Sequence, residues 1–246
     1  MSHAVNSIVT EEIDRFNKLA DSWWDEAGPM WPLHRLNALR APFINGHIRR
    51  HFELVGPDRP VDLDILDIGC GAGLLSESMA KTGARVLGID AAEKNIQMAK
   101  RHAAGAGLSL DYQHSTVETL GRDRQFDVVL NMEVVEHVSD VHSFLTDCAE
   151  LVRPGGLLFI ATINRTIYSA VTAIVGAEYI LGWLPKGTHQ WRKFVKPVEI
   201  EDILNQQEYQ LIETTGVAVN PTSRSMSLSR YLGGNYMLVA TRCPSL

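Results

Sequence analysis

The sequence predicts an α/β fold with a doubly wound, mostly parallel sheet. Three observations lead to this prediction. An apolar run at 63–68 ends in a glycine-rich turn at 69–73, and a helical pattern follows at once. A second apolar run at 86–89 ends in Asp90. Short apolar segments then alternate with helical ones, which is typical of parallel strands joined by helices.

The individual elements follow from hydrophobic spacing and from turn residues. Strands are expected where apolar runs are short, at 63–68, 85–89, 110–113, 127–131 and 157–162. Helices are expected between them, at 74–81, 92–104 and 141–151, and an Arg-Pro-Gly-Gly turn at 153–156 precedes the fifth strand. A helix at 197–206 and two late strands, 209–215 and 236–241, with a long connection between the strands, complete the fold.

The N-terminal part is expected to be helical. Apolar residues recur at helical spacing in 7–26, where Ile13, Phe16 and Leu19 share one face. A second helix is expected to begin at Pro42, because proline fits the first turn of a helix.

The length of 246 residues fits one domain with additions. We divide it into an N-terminal helical cap (1–60), a cofactor-binding core (61–163), an apolar and basic insertion that we expect to be α-helical (164–196), and C-terminal strands with a helix (197–246).

Composition excludes several classes of protein. The net charge of −6 gives no reason to expect a nucleic-acid partner. Cys70, Cys148 and Cys243 are far apart and form no Cys-x-x-Cys pair, so neither a disulfide framework nor a thiolate zinc site is indicated. The first 12 residues lack the basic region and apolar core that are typical of a signal peptide, and a cytoplasmic protein is expected.

The glycine-rich turn predicts a nucleoside site. Glycines let the backbone turn sharply and leave room for a ligand, and an acid at the end of the second strand is placed to accept the hydroxyls of a ribose. A dinucleotide fingerprint would place its third glycine at position 74, where this chain has Leu74, and the third glycine here is Gly73. The spacing therefore argues against a nicotinamide dehydrogenase.

Three motifs in this order, at 67–73, Asp90 and 153–156, resemble those of class I S-adenosylmethionine-dependent methyltransferases. A closer resemblance covers about residues 11–237. Segments inside and outside the shared core are similar to the ubiquinone-biosynthesis O-methyltransferase family: 23–24, 32–35, 37–40, 132–138, 175–181 and 185–189.

This resemblance implies a seven-stranded Rossmann-like sheet with an antiparallel last strand. It also implies methylation, with S-adenosylmethionine as the donor, of a phenolic hydroxyl on a polyprenyl catechol, on a demethylubiquinol, or on both. The alternatives are a methyltransferase for another small phenol and a catalytically silent module that binds the cofactor and docks on a membrane.

The cofactor is expected at the glycine turn. Gly69 and Gly71 would line its methionine part. Asp67 would hold its amino group, directly or through water, or would only brace the loop. Asp90 would accept the ribose hydroxyls, or would only cap the following helix.

Two further cofactor residues follow from the resemblance. Arg40 would hold the methionine carboxylate, since a planar guanidinium offers two parallel hydrogen bonds. Met132 would lie beside the adenosyl group. Because Ser115 stands where many methyltransferases have an acid, adenine would be recognised by the main chain near Thr116 and Val117.

The catalytic residues are expected to be Glu133, Glu136 and His137. At spacing i, i+3 and i+4 they would project to one side of a helical turn. The resemblance implies Mg²⁺ or a similar divalent cation on these three residues, which would lower the pKa of the phenol. Two alternatives remain: His137 as a general base with the glutamates as orienting groups, or an acidic helix start without a catalytic role.

The segment 167–196 is mostly apolar and ends in a basic stretch, 186–196. Its apolar part, 167–184, is 18 residues long, which is marginal for a spanning helix, and Glu178 near the centre of this part makes insertion costly. It is expected to act as a lid, as a membrane-surface element, or as both. The protein would then lie peripherally on the inner face of the membrane, close to its polyprenyl substrate and to a ubiquinone-biosynthesis complex.

Overall fold

The structure is a computed structural model, and it describes residues 23–56, 59–121, 124–170 and 191–244. Its centre is one sheet of eight strands in the order β3-β2-β1-β4-β5-β8-β6-β7. The strands are β1 (Asp64–Ile68), β2 (Arg85–Asp90), β3 (Asp111–His114), β4 (Phe126–Met132), β5 (Val152–Ile163), β6 (Tyr209–Asn220), β7 (Ser225–Ser229) and β8 (Asn235–Arg242).

The first five strands pair in parallel, and β8 lies between β5 and β6 and is antiparallel to both. The doubly wound, mostly parallel sheet is thus confirmed, including the antiparallel last strand. The additional strand is β7, which pairs with β6 in the stretch expected to be a long connection. Its serine-rich sequence has no apolar run, so hydrophobic spacing did not reveal it.

Helices cover both faces of the sheet. They are α1 (Trp31–His51), α2 (Leu74–Ala80), α3 (Glu93–Gly105), α4 (Val117–Leu120), α5 (Val141–Glu150), α6 (Ile167–Ser169) and α7 (Pro197–Gln206). Apolar residues of α1 and α2 form one core with the sheet, and those of α5 and α7 form another on the opposite face. Within the described ranges, no helix is long and apolar enough to cross a membrane.

The N-terminal helices differ from the expectation. Residues 23–26 form turns, and 1–22 lie outside the described residues, so most of the helix predicted at 7–26 is not described. The second helix starts at Trp31 and has Pro42 in its interior, because Pro32 already occupies its first turn. A proline does lie in the first turn of this helix, as expected, but it is Pro32 and not Pro42.

The Arg-Pro-Gly-Gly segment lies within β5 rather than before it. Phe126 pairs with Val152 and Val128 with Leu157, so residues 153–156 bulge opposite a single residue of β4. Arg153 donates to Asp127 (2.8 Å) and Asp64 (3.0 Å), which ties β5 to β4 and β1. These contacts lie at the amino end of the sheet, opposite the candidate site.

Candidate active site

The loop after β1 brings three glycines into left-handed backbone conformations. Gly69, Gly71 and Gly73 have φ of 66°, 56° and 90°. A β-carbon on Gly69 would stand 2.5 Å from Cγ2 of Val134, so the loop approaches its neighbours closely. Only glycine meets both requirements, which explains this spacing of glycines in the sequence.

Asp90 braces this loop from the end of β2. Its Oδ2 accepts from the main-chain N–H of Gly71 (2.9 Å), and its Oδ1 accepts from the N–H of Ala92 (2.7 Å) and from Asn95 (3.3 Å). Burial raises its pKa, and these donors partly offset the effect. Asp90 therefore joins the glycine loop to the start of α3, and its role toward a ribose stays a prediction.

Asp67 is buried at the end of β1. Its Oδ2 accepts a 2.6 Å hydrogen bond from the hydroxyl of Ser76 on α2. Burial raises its pKa to about 6, against the opposing effects of Ser76 and Arg40. The bracing role considered for Asp67 is visible here, and contact with the cofactor amino group stays a prediction.

Arg40 is a buried cation with incomplete hydrogen bonding. Burial lowers its pKa, and the charges of Glu133 and Asp67 oppose that shift. Its Nε and Nη1 have no hydrogen-bond partner among the described residues. Leaving buried donors unpaired costs about 1–3 kcal/mol each. A carboxylate from a bound ligand would remove this cost, so the site fits the anionic end of S-adenosylmethionine.

Met132 is the last residue of β4 and is buried in the core that α1 and α2 form with the sheet. It directly precedes Glu133. Thr116 is the N-cap residue of α4 after β3, and its main-chain N–H donates to the hydroxyl of Thr119 (3.0 Å). Contacts of these residues with the adenosyl group stay predictions.

Glu133 lies at the carboxyl end of β4 with φ of 62°, an uncommon conformation for a residue other than glycine. The amide of Asn235 donates to both carboxylate oxygens, at 2.9 and 3.0 Å. Although the side chain keeps some solvent contact, enclosure by protein and the charge of Glu136 together raise its pKa to about 7. Asn235, Arg40 and His137 act in the opposite direction.

The helical arrangement expected for Glu133, Glu136 and His137 is wrong. Glu133 ends a strand, and only Val135–His137 form a short 3₁₀ turn. The carboxylate of Glu136 is buried and accepts from the hydroxyl of Thr162 at 2.6 Å, so the two glutamates bond to different partners. The left-handed backbone at Glu133 breaks the i, i+3, i+4 register.

Metal ligands were expected at the same three residues. In the part of the chain that the structure describes, no three His, Cys, Asp or Glu side chains are grouped in a way that could hold a metal ion. Asn235 donates to both carboxylate oxygens of Glu133, and Thr162 donates to Oε2 of Glu136, so separate partners hold the two carboxylates. The arrangement therefore does not fit the predicted Mg²⁺ site.

Sequence reasoning missed Asn235 and Thr162. Both are on strands whose neighbours in the sheet are remote in sequence, and Ile163 pairs with Asn235 across β5 and β8. A polar residue at a strand end gives no pattern that links it to a distant acid. Only the order of the strands brings these side chains to the carboxyl edge of the sheet, where ligands of α/β proteins bind.

Comparison with known proteins agrees with this geometry. Residues 66–160 match the family model described as a methyltransferase domain. The ubiquinone biosynthesis O-methyltransferase of Sinorhizobium medicae is 50% identical over 97% of this chain and 98% of its own length. The protein of the same name from Parvibaculum lavamentivorans is 50% identical over 97% of this chain and 96% of its own length.

Among solved structures, the magnesium protoporphyrin IX methyltransferase of Synechocystis with bound SAH has a similar fold. Its TM-score is 0.68 at 21% identity, with 95% of this chain and 99% of that chain covered. The fold and the glycine loop thus agree with methyltransferases in general, and the near-complete match at half identity is more specific. This chain belongs to the ubiquinone biosynthesis O-methyltransferase family, whose members are S-adenosylmethionine-dependent O-methyltransferases.

Proposed function

We propose that the protein methylates a phenolic hydroxyl of a polyprenyl catechol, of a demethylubiquinol, or of both. The observation that carries this proposal is the Glu133 carboxylate. It lies at the carboxyl edge of the sheet, is held by Asn235, and interacts electrostatically with Arg40, which also interacts with Asp67 beside the glycine loop. The names of the relatives support the substrate class.

S-adenosylmethionine supplies a methyl group on a sulfonium, which is already a good donor. The protein must therefore bind it, orient the phenol and remove the phenolic proton. Arg40 would hold the carboxylate of the cofactor, and the 69–73 loop would accommodate its methionine part. Asp90 would keep that loop in place through the N–H of Gly71.

Glu133 is our candidate for the proton acceptor. A carboxylate with a pKa near 7 is matched to proton transfer at neutral pH, whereas an ordinary glutamate is too weak a base. Asn235 donates to both oxygens and so fixes the direction of the carboxylate. The phenolate oxygen would then attack the methyl carbon in line with the carbon–sulfur bond, which breaks and leaves S-adenosylhomocysteine, and the proton would remain on Glu133.

His137 is the alternative base, and its charge acts on Glu133. The two candidates differ in their expected variants. Loss of turnover in Glu133→Gln with retention in His137→Gln supports Glu133, and the reverse result supports His137.

A magnesium requirement is supported by the resemblance and not by the arrangement of Glu133, Glu136 and His137. Turnover of a catechol after EDTA treatment, with and without added Mg²⁺, tests it. Restoration of activity by the metal would support a divalent cation, and full turnover in EDTA would refute it.

Association with a membrane surface is a further part of the proposal. Ile167 is 80% exposed, and Tyr168 and Trp191 are also exposed. Arg192 and Lys193 follow Trp191, which suits a surface with anionic headgroups. Residues 171–190 lie outside the described residues. A position on the inner face of the membrane and contact with a ubiquinone-biosynthesis complex are separate parts of the same proposal, and they rest on the resemblance.

Sedimentation with anionic and with neutral vesicles tests the membrane proposal, using the wild type and a deletion of 170–190. Pelleting of the wild type alone, and only with anionic vesicles, is expected. Equal pelleting of both proteins would contradict it.

The methyl acceptor itself is tested with labelled S-adenosylmethionine and a panel of catechols and quinols that differ in prenyl length. Mass spectrometry of the products identifies the methylated oxygen. Preference for prenylated catechols or quinols over the unprenylated ring is expected. Methylation of short soluble phenols alone would contradict the proposed substrate class.

A further inference from the structure

The indole of Trp23 lies directly against the glycine loop. A β-carbon on Gly71 would stand 2.7 Å from Cζ3 and 2.9 Å from Cζ2 of this ring. Trp23 is only 7% exposed and packs with Met30, Ala72 and Leu74. Its position therefore depends on the absence of a side chain at Gly71.

Trp23 also has an unsatisfied donor. Its Nε1 is buried and has no hydrogen-bond partner among the described residues. An indole N–H can only donate, as can the unpaired Nε and Nη1 of Arg40. Asp67 accepts from Ser76, and Asp90 accepts from Gly71 and Ala92, but neither carboxylate accepts from the indole N–H of Trp23 or from Nε or Nη1 of Arg40.

Neighbouring contacts hold the Trp23 main chain in place. His34 bonds to the carbonyl of Trp23 (2.8 Å), and the indole of Trp24 donates to the carbonyl of Ala72 (3.1 Å). The ring of Trp24 stacks on His102, which is bonded to the buried Glu77 (2.7 Å). Trp23 is thus presented to the loop by a fixed framework.

We propose that Trp23 is a cofactor-binding residue whose indole N–H donates to the carboxylate of S-adenosylmethionine, the group that we also assign to Arg40. Neither donor has a partner among the described residues, and the carboxylate of a ligand, which can accept from several donors at once, would supply one. This inference rests on the chain binding S-adenosylmethionine, as its family membership implies. It does not depend on which phenol is methylated.

The test compares two ligands that differ in the amino-acid part. S-adenosylhomocysteine carries the carboxylate, and 5′-methylthioadenosine has the same nucleoside without it. Their dissociation constants are measured by isothermal titration calorimetry on the wild type and on Trp23→Phe. Phenylalanine keeps an aromatic ring against Gly71 and removes the N–H.

We expect Trp23→Phe to weaken S-adenosylhomocysteine by about tenfold, the usual scale for one hydrogen bond to a charged group, and to leave methylthioadenosine unchanged. Tyr209→Phe is the matched control, because it removes a buried hydroxyl that bonds to the carbonyl of Ala149, remote from the loop. It should leave both ligands unchanged. Thermal unfolding without ligand reports any general damage in either variant.

Three results would overturn the inference. Unchanged binding of S-adenosylhomocysteine by Trp23→Phe would show that the N–H has no partner on the ligand. Equal weakening of both ligands would place the effect on the nucleoside or on the fold. Failure of the wild type to bind S-adenosylhomocysteine would overturn this inference together with the proposed function, whereas normal wild-type binding with an unaffected variant overturns this inference alone.

Discussion

The two halves of the site differ in how far along the chain their contacts reach. On the cofactor side, Asp67 and Ser76 are 9 positions apart, and Gly71 and Asp90 are 19 apart. On the acceptor side, Glu136 and Thr162 are 26 apart, and Glu133 and Asn235 are 102 apart. The cofactor half is therefore a local strand-turn-helix unit, and the acceptor half exists only through the order of the strands.

Arg40 connects the two halves. It lies on α1, which belongs to neither half, and its charge acts on Asp67 on one side and on Glu133 on the other. The comparison therefore predicts separable effects. Variants of the cofactor half should change affinity for S-adenosylmethionine, and variants of the acceptor half should change kcat.

The largest effect is expected for Glu133→Gln. Loss of a general base lowers kcat by roughly 10²–10⁴-fold, because the phenol would keep its proton. The dissociation constant for S-adenosylmethionine should change little. Steady-state kinetics on a catechol, together with calorimetry, measures both quantities. A kcat close to that of the wild type would contradict the role of Glu133.

Asp67→Asn should change the pH dependence of stability. The folded pKa of Asp67 is raised to about 6 from an ordinary value of 3.8, so the folded state binds more protons between these values. Its contribution is fully present below about pH 4 and is lost as pH rises through 6, by roughly 3 kcal/mol.

Denaturant unfolding of the cofactor-free protein between pH 4 and 7 tests this expectation. The fall in the free energy of unfolding should be smaller in Asp67→Asn than in the wild type. The raised pKa of Glu133 lowers the free energy of unfolding in the same direction at higher pH, and it does so in both proteins. The difference between them should therefore lie mainly below pH 6. The exposed Asp111→Asn serves as a control, and identical slopes in all three proteins would rule out the raised pKa.

Arg40→Lys should weaken S-adenosylmethionine binding by roughly 10–100-fold, since lysine keeps the charge but loses the planar pair of donors. Arg49→Lys is a control on the same helix, because Arg49 is on the surface and bonds to the carbonyls of Gly56 and Arg59. Equal affinity of the two variants for S-adenosylmethionine would show that Arg40 does not hold the cofactor.

The smallest effect is expected for Trp24→Phe. This change removes the bond from the indole to the carbonyl of Ala72 but keeps a ring that can stack on His102. A neutral hydrogen bond contributes about 1 kcal/mol, so affinity for S-adenosylmethionine should fall by a few-fold at most. Equilibrium dialysis measures it. A loss as large as that of Arg40→Lys would mean that the loop depends on Trp24 more than its contacts indicate.

The same difference in reach explains what could be predicted from the sequence. The 69–73 turn and Asp90 are recognisable because residue type and spacing alone specify a strand, a turn and a helix. The strand β7 was missed because its serines carry no hydrophobic signal. Asn235 was missed because its meaning depends on β8 lying between β5 and β6, which no local pattern encodes. The helical spacing of Glu133 and His137 was misleading because Glu133 has a left-handed backbone conformation and lies outside the short 3₁₀ turn that contains His137.

The position of β8 has a consequence for synthesis of the chain. Because β8 lies between β5 and β6, the strand order of the sheet cannot be completed until residues 235–242 have left the ribosome. The loop that contains Gly71 and its partner Asp90 can form much earlier. A nascent chain could therefore form its glycine-rich turn long before Glu133 meets Asn235, so the proposed acceptor half would be completed late in synthesis.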